Sequence, residues 1–411
     1  MAKQQKKGKV VRVGGLVCRD GQITIGLSPY EMEFFQAAAE YGGFVSGHGH
    51  IDRADITDPR YYEGTGTSST HAAALTLPQK RDMLGSIHMG KYSDAADMAK
   101  RLSHCLGRLC GYGTTKIHTC FDATPDLAEE GLYALNQIRK AADKFSSLEV
   151  KCGPHPVWGL FKGERLVTYR RAAEKADFLT GLPEADDHRK GFEVHVRVLL
   201  EMAISMNKEL HLHVDQTGNP AEKGSQRVIN VVKSFLPSSL VVAPDHVLAP
   251  ADQHPTKPKP NPMVWLIHAL SSAALSEKEF RQLVDDLLEY NIGVIVCPSA
   301  TLSNRQIRSI TAPIHNSLVR VLELAAVGVP IRFGFDNVSD YLVPWCTGNM
   351  MTELMIAGTA LRFASPRVLA KFACGVPLDN FDRGAIKEAL RRDYEALRAV
   401  NPRWKPAINL A

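Results

Sequence analysis

The 411-residue chain contains eight cysteines but no CxxC pair, which excludes a zinc ribbon and a thioredoxin-type redox motif. Cys18, Cys105, Cys110, Cys120, Cys152, Cys297, Cys346 and Cys374 sit mostly inside apolar runs, a pattern of reduced, buried thiols that points to a cytoplasmic setting. No apolar stretch approaches the ~20 residues needed to span a bilayer. No apolar segment follows the Lys3, Lys6, Lys7, Lys9 run, so that run is not read as a secretory leader. A strong charge of one sign is also missing. The formal net charge is +5, and no basic stripe alternates with aromatics beyond the first residues. Residues 1–9 are therefore expected to be a disordered, solvated basic tail, and neither nucleic acid nor membrane is expected as a partner. Internal repeats and low-complexity segments are lacking too. Hydrophobic residues at 45% and charged residues at 23% describe a soluble globular protein large enough to need no covalent staple.

What is present is alternation. Short β-type runs flank Asp20-Gly21, a hairpin turn signal, within a lead-in spanning residues 10–41. Strand-like apolar runs and helical patterns then alternate along 42–364. The strand candidates are Phe44–Ser46, Thr115–Cys120, Leu148–Cys152, Phe178–Leu182, Glu209–Val214, Val264–Ala269, Gly293–Cys297 and Pro330–Phe335. Between them lie patterns of 3.6-residue period. One opens with a capping box at Ser276 and Glu279, followed by Phe280, Leu283, Val284, Leu287 and Leu288. Thr124-Pro125 predicts another helix start. Eight strands each followed by a helix predict a (β/α)₈ TIM barrel, with a doubly wound open sheet as the alternative. Residues 365–411 are expected to form extra helices on the outside of the barrel. The Pro250–Pro262 stretch reads as a long loop inserted before the sixth strand.

The chemistry is expected where polar groups break apolar strands at their C-terminal ends, the end where barrels place their active sites. Four sets do so: Gly47-His48-Gly49-His50-Ile51-Asp52, His211-Leu212-His213-Val214-Asp215, Ile267-His268-Ala269 and Phe333-Gly334-Phe335-Asp336-Asn337. In an extended strand, residues i and i+2 share a side, so His48 and His50 can converge on one ion. With 15 histidines in the chain, about one HxH pair is expected by chance, and Asp336 alone could cap a helix. The ordered set of four, spread along the chain, is what favours a metal site.

That order resembles the amidohydrolase superfamily, and its wording is most similar to the cytosine deaminase branch and the related triazine-degrading enzymes. "FVSGHGHID" is similar to the branch's first-strand motif, "ELHLHVDQ" to its fifth, and "FGFDNVSDYLVPWCTGNMM" to its eighth-strand segment. The resemblance implies a metal-dependent hydrolase acting on a C–N bond of a small polar, heterocyclic substrate. It also implies one divalent ion held by His48, His50, His213 and Asp336: zinc or iron, with manganese a third candidate. Asp336 and His268 would be catalytic, Asp336 as ligand and proton acceptor, and His268 as proton carrier or oxyanion partner. His211 would sit a layer deeper. "DFLTGLP" offers no lysine on the fourth strand to bridge a second metal, and Lys151 on the third reads as structural. An assembly of identical subunits is expected.

Four departures surround the pocket. Gln216 stands where the branch has a proton-shuttling glutamate, and a glutamine is neither acid nor base at neutral pH. Asn337 replaces a second aspartate, Leu342 an aromatic residue, and Pro154-His155, in the loop after the third strand, a Pro-Gln. Cytosine itself is therefore not the expected substrate. His155, Gln216, Asn337 and Asp340 are the expected substrate contacts, with loops such as Asp58–Thr70 setting specificity. The loss of the glutamate tilts the reading from ring deamination to amide hydrolysis. A barrel that keeps its metal but has lost turnover is the remaining alternative. The C-terminal "RWKPAINLA" is too short for the small β-sandwich that such proteins usually carry.

Overall fold

The computed structural model describes residues 10–13, 16–19, 22–23, 27–188, 191–235, 262–303 and 318–410. The expected basic tail (1–9), the Asp20-Gly21 turn and nearly all of the Pro250–Pro262 stretch lie outside them. At the N-terminus, β1 (Val10–Val13), β2 (Leu16–Arg19) and β3 (Gln22–Ile23) form an antiparallel sheet in that order. Cys18 pairs with Ile23 and Arg19 with Gln22.

All eight expected barrel strands form: β4 (Phe44–Ser46), β5 (Thr114–Asp122), β6 (Glu149–His155), β7 (Leu179–Gly181), β8 (Leu210–Val214), β9 (Val264–His268), β10 (Gly293–Val296) and β11 (Ile331–Phe333). Every pairing among them is parallel, in one sheet β4-β5-β6 and another β7-β8-β9-β10-β11. The two sheets meet at both edges. Between β6 and β7, Asp177 N donates to Cys152 O at 2.8 Å and Thr180 Oγ1 to Pro154 O at 2.5 Å. Between β11 and β4, Gly47 N donates to Phe333 O and His50 N to Asp336 O, both at 2.7 Å. The fold is the α/β barrel expected. β8 and β9 are buried at every residue, which is why they read as unbroken apolar runs.

Helices wall the barrel. The helix Glu277–Glu289 begins with the expected capping box, Glu279 N donating to Ser276 Oγ at 3.3 Å and Ser276 N to Glu279 Oε2 at 3.0 Å. It buries Phe280, Leu283, Val284 and Leu287. Outside the β11–β4 seam, the lead-in helix Pro29–Glu40 packs on Pro366–Ala373, with Arg367 Nη2 at 3.1 Å from Glu40 Oε2. The last helix, Asn380–Val400, is tied on by Tyr394 Oη donating to Glu323 Oε1 at 2.7 Å. No helix among the described residues is long and apolar enough to cross a membrane.

Two local expectations are corrected. No helix starts at Thr124-Pro125. Leu127 N closes a single turn on Thr124 O at 3.2 Å, and Glu129 adopts φ 57°, which a right-handed helix cannot continue through. The next α-helix is Tyr133–Ala142. Pro154-His155 is not loop but the end of β6, because Phe121 and Asp122 extend β5 alongside it in register.

Candidate metal centre and cleft

Close approach of backbones builds the centre. At the β11–β4 seam, a Cβ on Gly49 would overlap the Phe335 ring, and one on Gly334 would stand 2.6 Å from His48 O. Glycine at these two positions lets the first and last barrel strands touch and brings His48 and His50 beside Asp336. His48 Nε2 lies 3.1 Å from His213 Nε2 and 3.4 Å from Asp336 Oδ1. His50 Nε2 is also 3.4 Å from Asp336 Oδ1, and His268 Nε2 is 3.7 Å from Asp336 Oδ2. All five side chains are buried.

The nitrogen atoms are aimed. His213 Nδ1 is 3.1 Å from Gly181 O, which places the proton on Nδ1 and turns the Nε2 lone pair inward. Burial, reinforced by the charges of neighbouring groups, holds His50 and His213 well below the usual histidine pKa. Burial likewise lowers His268 to about 4, although Asp336 pulls the other way. These imidazoles are therefore neutral, the form that binds a metal. Burial pushes the Asp336 carboxyl up, but the contact with His48 and the charge of its neighbours outweigh it, and the group stays ionised. Asp215, His268 and Asp336 have φ of 54°, 72° and 61°. Non-glycine residues avoid this region, at a cost of order 1 kcal/mol or more each, and here it recurs at the ends of β8, β9 and β11.

Two cysteines went unread in the sequence because, in apolar strands, they look like core. Metal-binding atoms cluster as His48, His50, Cys120 and His213, and as His268, Cys297 and Asp336. Cys120 Sγ faces Nδ1 of His48 at 3.7 Å, on the edge of the ring away from His213, so it orients the imidazole. Burial holds both thiols well above the usual range, and they are neutral.

The remaining expected residues fall into four groups. His155, Gln216 and Asn337 line the cleft over the centre together with His50, His213, His268 and Asp336. The His155 ring lies 5.0 Å from that of His50 and 4.8 Å from that of His213. Asp340 is not on the cleft wall. It is fully buried, accepting from Asn337 Nδ2 at 2.7 Å, Leu342 N at 2.8 Å and Val343 N at 3.0 Å, so it braces the loop that presents Asn337. His211 lies deeper, as expected, against Phe178 and 3.0 Å from Glu209 Oε2. Lys151 Nζ lies 3.7 Å from Glu149 Oε1, near the start of β6 and away from the cleft.

Sequence reasoning missed most of the charged frame, although it offers Glu184 as a group that could do the missing glutamate's work. Gln216 Nε2 donates to Glu184 Oε2 at 3.1 Å. Arg53, Lys80 and Arg81 line the cleft. Beneath them Asp122, at the end of β5, lies 3.5 Å from Arg53 Nη1 and 3.2 Å from His88 Nε2, while Asp126 takes His88 Nδ1 at 2.8 Å. Asp52 Oδ2 accepts from Asp122 N at 2.9 Å. The rule that found the other groups, a polar residue ending an apolar strand, applies equally to Asp122 in "TCFDATPD" and would have found it.

Fold and site together define a (β/α)₈ barrel with a three-histidine, one-aspartate centre at the C-terminal ends of its strands. No family model matches the chain. An uncharacterized protein of Haemophilus influenzae is 24% identical over 285 residues, covering 69% of this chain and 90% of that relative. Among solved structures, 5-methylcytosine deaminase from Klebsiella pneumoniae liganded with 5-fluorocytosine superposes with TM-score 0.65 at 15% identity, covering 93% of this chain and 84% of that one. N-isopropylammelide isopropylaminohydrolase from Burkholderia multivorans gives 0.57 at 18%, covering 93% and 85%. A triazine hydrolase variant gives 0.55 at 12%, covering 84% and 70%. The fold is the one these hydrolytic barrels share, as the three motifs led us to expect.

Proposed function

We propose that this protein is a metal-dependent amidohydrolase that cleaves a C–N bond of a small polar heterocyclic substrate. The observation that carries this reading is the convergence of the buried side chains of His48, His50, His213 and Asp336 at the mouth of the barrel. Three imidazoles and a carboxylate fit a divalent ion such as zinc. A bound ion supplies an acidified water and a Lewis acid. The heterocyclic substrate class is supported by the deaminase and triazine enzymes whose fold the chain shares.

The chain's own groups divide the remaining work. Asp336 presents Oδ1 to His48 and His50 and leaves Oδ2 towards His268, so one carboxylate can both hold the ion and accept a proton. His268 stands where it steadies a developing oxyanion or relays that proton to the leaving nitrogen. Gln216, Asn337 and His155 orient the substrate by hydrogen bonds. With no carboxylate at position 216, hydrolysis of an exocyclic amide is favoured, because it needs no separate ring protonation.

One observation favours ring deamination as a second reading. Glu184 Oε2 accepts from Gln216, Glu184 Oε1 is buried without a partner, and burial raises this carboxyl above its ordinary range. Glu184 could thus carry the proton that Gln216 cannot. The test is a panel of heterocyclic amides and amino-substituted rings, offered to metal-loaded protein with and without chelator. Chelator-sensitive release of ammonia or amine supports the hydrolase. Loss of that turnover in Glu184→Gln assigns ring deamination. A metal-loaded protein inert towards the whole panel would point to the barrel that has lost turnover.

A further inference from the structure

The cleft is more cationic than the proposed reaction requires. Arg53, Lys80 and Arg81 line it, and among the described residues the only carboxylate in its wall is Asp336, which is committed to the proposed metal centre. Lys80 is 6% exposed, and its ammonium donates to a neutral carbonyl, Leu342 O, at 2.9 Å. No carboxylate among the described residues forms an ion pair with it. Asp340 influences it from further away, but the oxygens of Asp340 already accept from Asn337, Leu342 and Val343. Arg53, 3% exposed, meets Asp122 only at 3.5 Å, and its buried Nε has no partner. Arg81 reaches Glu184 at 3.9 Å, through an oxygen that also serves Gln216.

A buried ammonium or guanidinium is costly unless a counter-charge and hydrogen bonds repay its desolvation. Here Arg53 and Arg81 reach their carboxylates only at 3.5 and 3.9 Å, and Lys80 meets a neutral carbonyl instead of a carboxylate. A divalent ion at the centre would add to the positive excess. We propose that the substrate supplies the missing charge: besides its hydrolysable C–N bond it carries a carboxylate, bound by Lys80 and Arg81 with Arg53 behind them. An arginine fork and a lysine match a planar carboxylate in geometry and charge. This inference rests on the hydrolase reading for the location of the scissile bond, but it is tested by binding alone.

The probes are uracil-6-carboxylate, uracil and inorganic phosphate, titrated calorimetrically into metal-loaded protein at neutral pH. The carboxylate is expected to bind at least tenfold more tightly than uracil. Lys80→Met combined with Arg81→Met should erase that preference at unchanged metal content, whereas Lys80→Arg, which keeps the charge, should retain it. Four results overturn the proposal: equal binding of the two pyrimidines, binding of neither, a preference that survives in the double variant, or Lys80-dependent capture of phosphate alone. Chelator-sensitive turnover of neutral amides without any carboxylate preference would leave the hydrolase reading standing and remove this one.

Discussion

At residue scale, the proposed chemistry is tested most directly at Asp336 and Gln216. Asp336 touches His48 and His50 through one oxygen and faces His268 with the other, so the near-isosteric Asp336→Asn removes charge and basicity without opening a cavity. Turnover should fall by at least 10³-fold while the thermal midpoint stays within a few degrees. A variant within about tenfold of wild type, under ~1.4 kcal/mol of barrier, would refute the assignment. Gln216→Glu places a second carboxylate 3.1 Å from Glu184, where two like charges cannot both ionise. Activity on an amide substrate should drop several-fold and acquire a new acid limb in its pH–rate profile. A variant that gains amide activity with an unchanged profile would show that position 216 does not contact Glu184 as described. The histidines of the proposed centre were legible in the sequence as an ordered set, each ending an apolar strand, although any one alone had a bland explanation. Cys120 and Cys297 were not, because a thiol in the same setting is ordinary core. Lys80 and Arg81 were hidden for a different reason. They lie on a short helix, Leu77–Asp82, where lysine and arginine usually face solvent, and only the fold turns them inward.

At the scale of elements, the buried His88–Asp122–Arg53 group links the helix Leu84–Met89 to the end of β5 and the turn after β4. Burial opposes a charge on His88, but the carboxylates of Asp122 and Asp126 overcome it and raise its pKa to about 9. Burial also opposes ionisation of Asp122, yet Arg53 and His88 bring it down to about 2. A raised histidine pKa stabilises the fold fully below the unfolded value near 6.5 and loses that contribution as pH climbs through about 9. The difference in thermal midpoint between wild type and His88→Gln should therefore be several degrees at pH 6 and shrink by pH 9.5. A difference independent of pH would show that His88 is uncharged in the fold. Element boundaries were readable where one signal ruled, as in the Ser276–Glu279 box. They failed at Thr124-Pro125, where the chain closes a single turn and Glu129 then turns left-handed.

At the scale of the molecule, the eight strand candidates all became strands, since parallel strands covered by helices must be apolar on both faces. The order of the histidines and the aspartate along the chain carried over into space for the same reason: each ends a strand, and a barrel gathers strand ends into one ring. The metal stoichiometry belongs to this scale. β7 contributes Thr180, not a lysine, between the two halves of the ring, so elemental analysis after metal-supplemented expression should return one divalent ion per chain. Two ions per chain, or none, would contradict the proposed centre.

The seam between β4 and β11 has a consequence for the protein's biosynthesis. His48 and His50 leave the ribosome early, Asp336 near the end, and the glycines that let those strands meet have no function until both exist. An arrested or prematurely terminated chain can offer histidines to an ion but not the closed ring, and any ion it captures is held loosely and exchanged. In the proposed centre, metal acquisition would therefore have to follow synthesis of both strands.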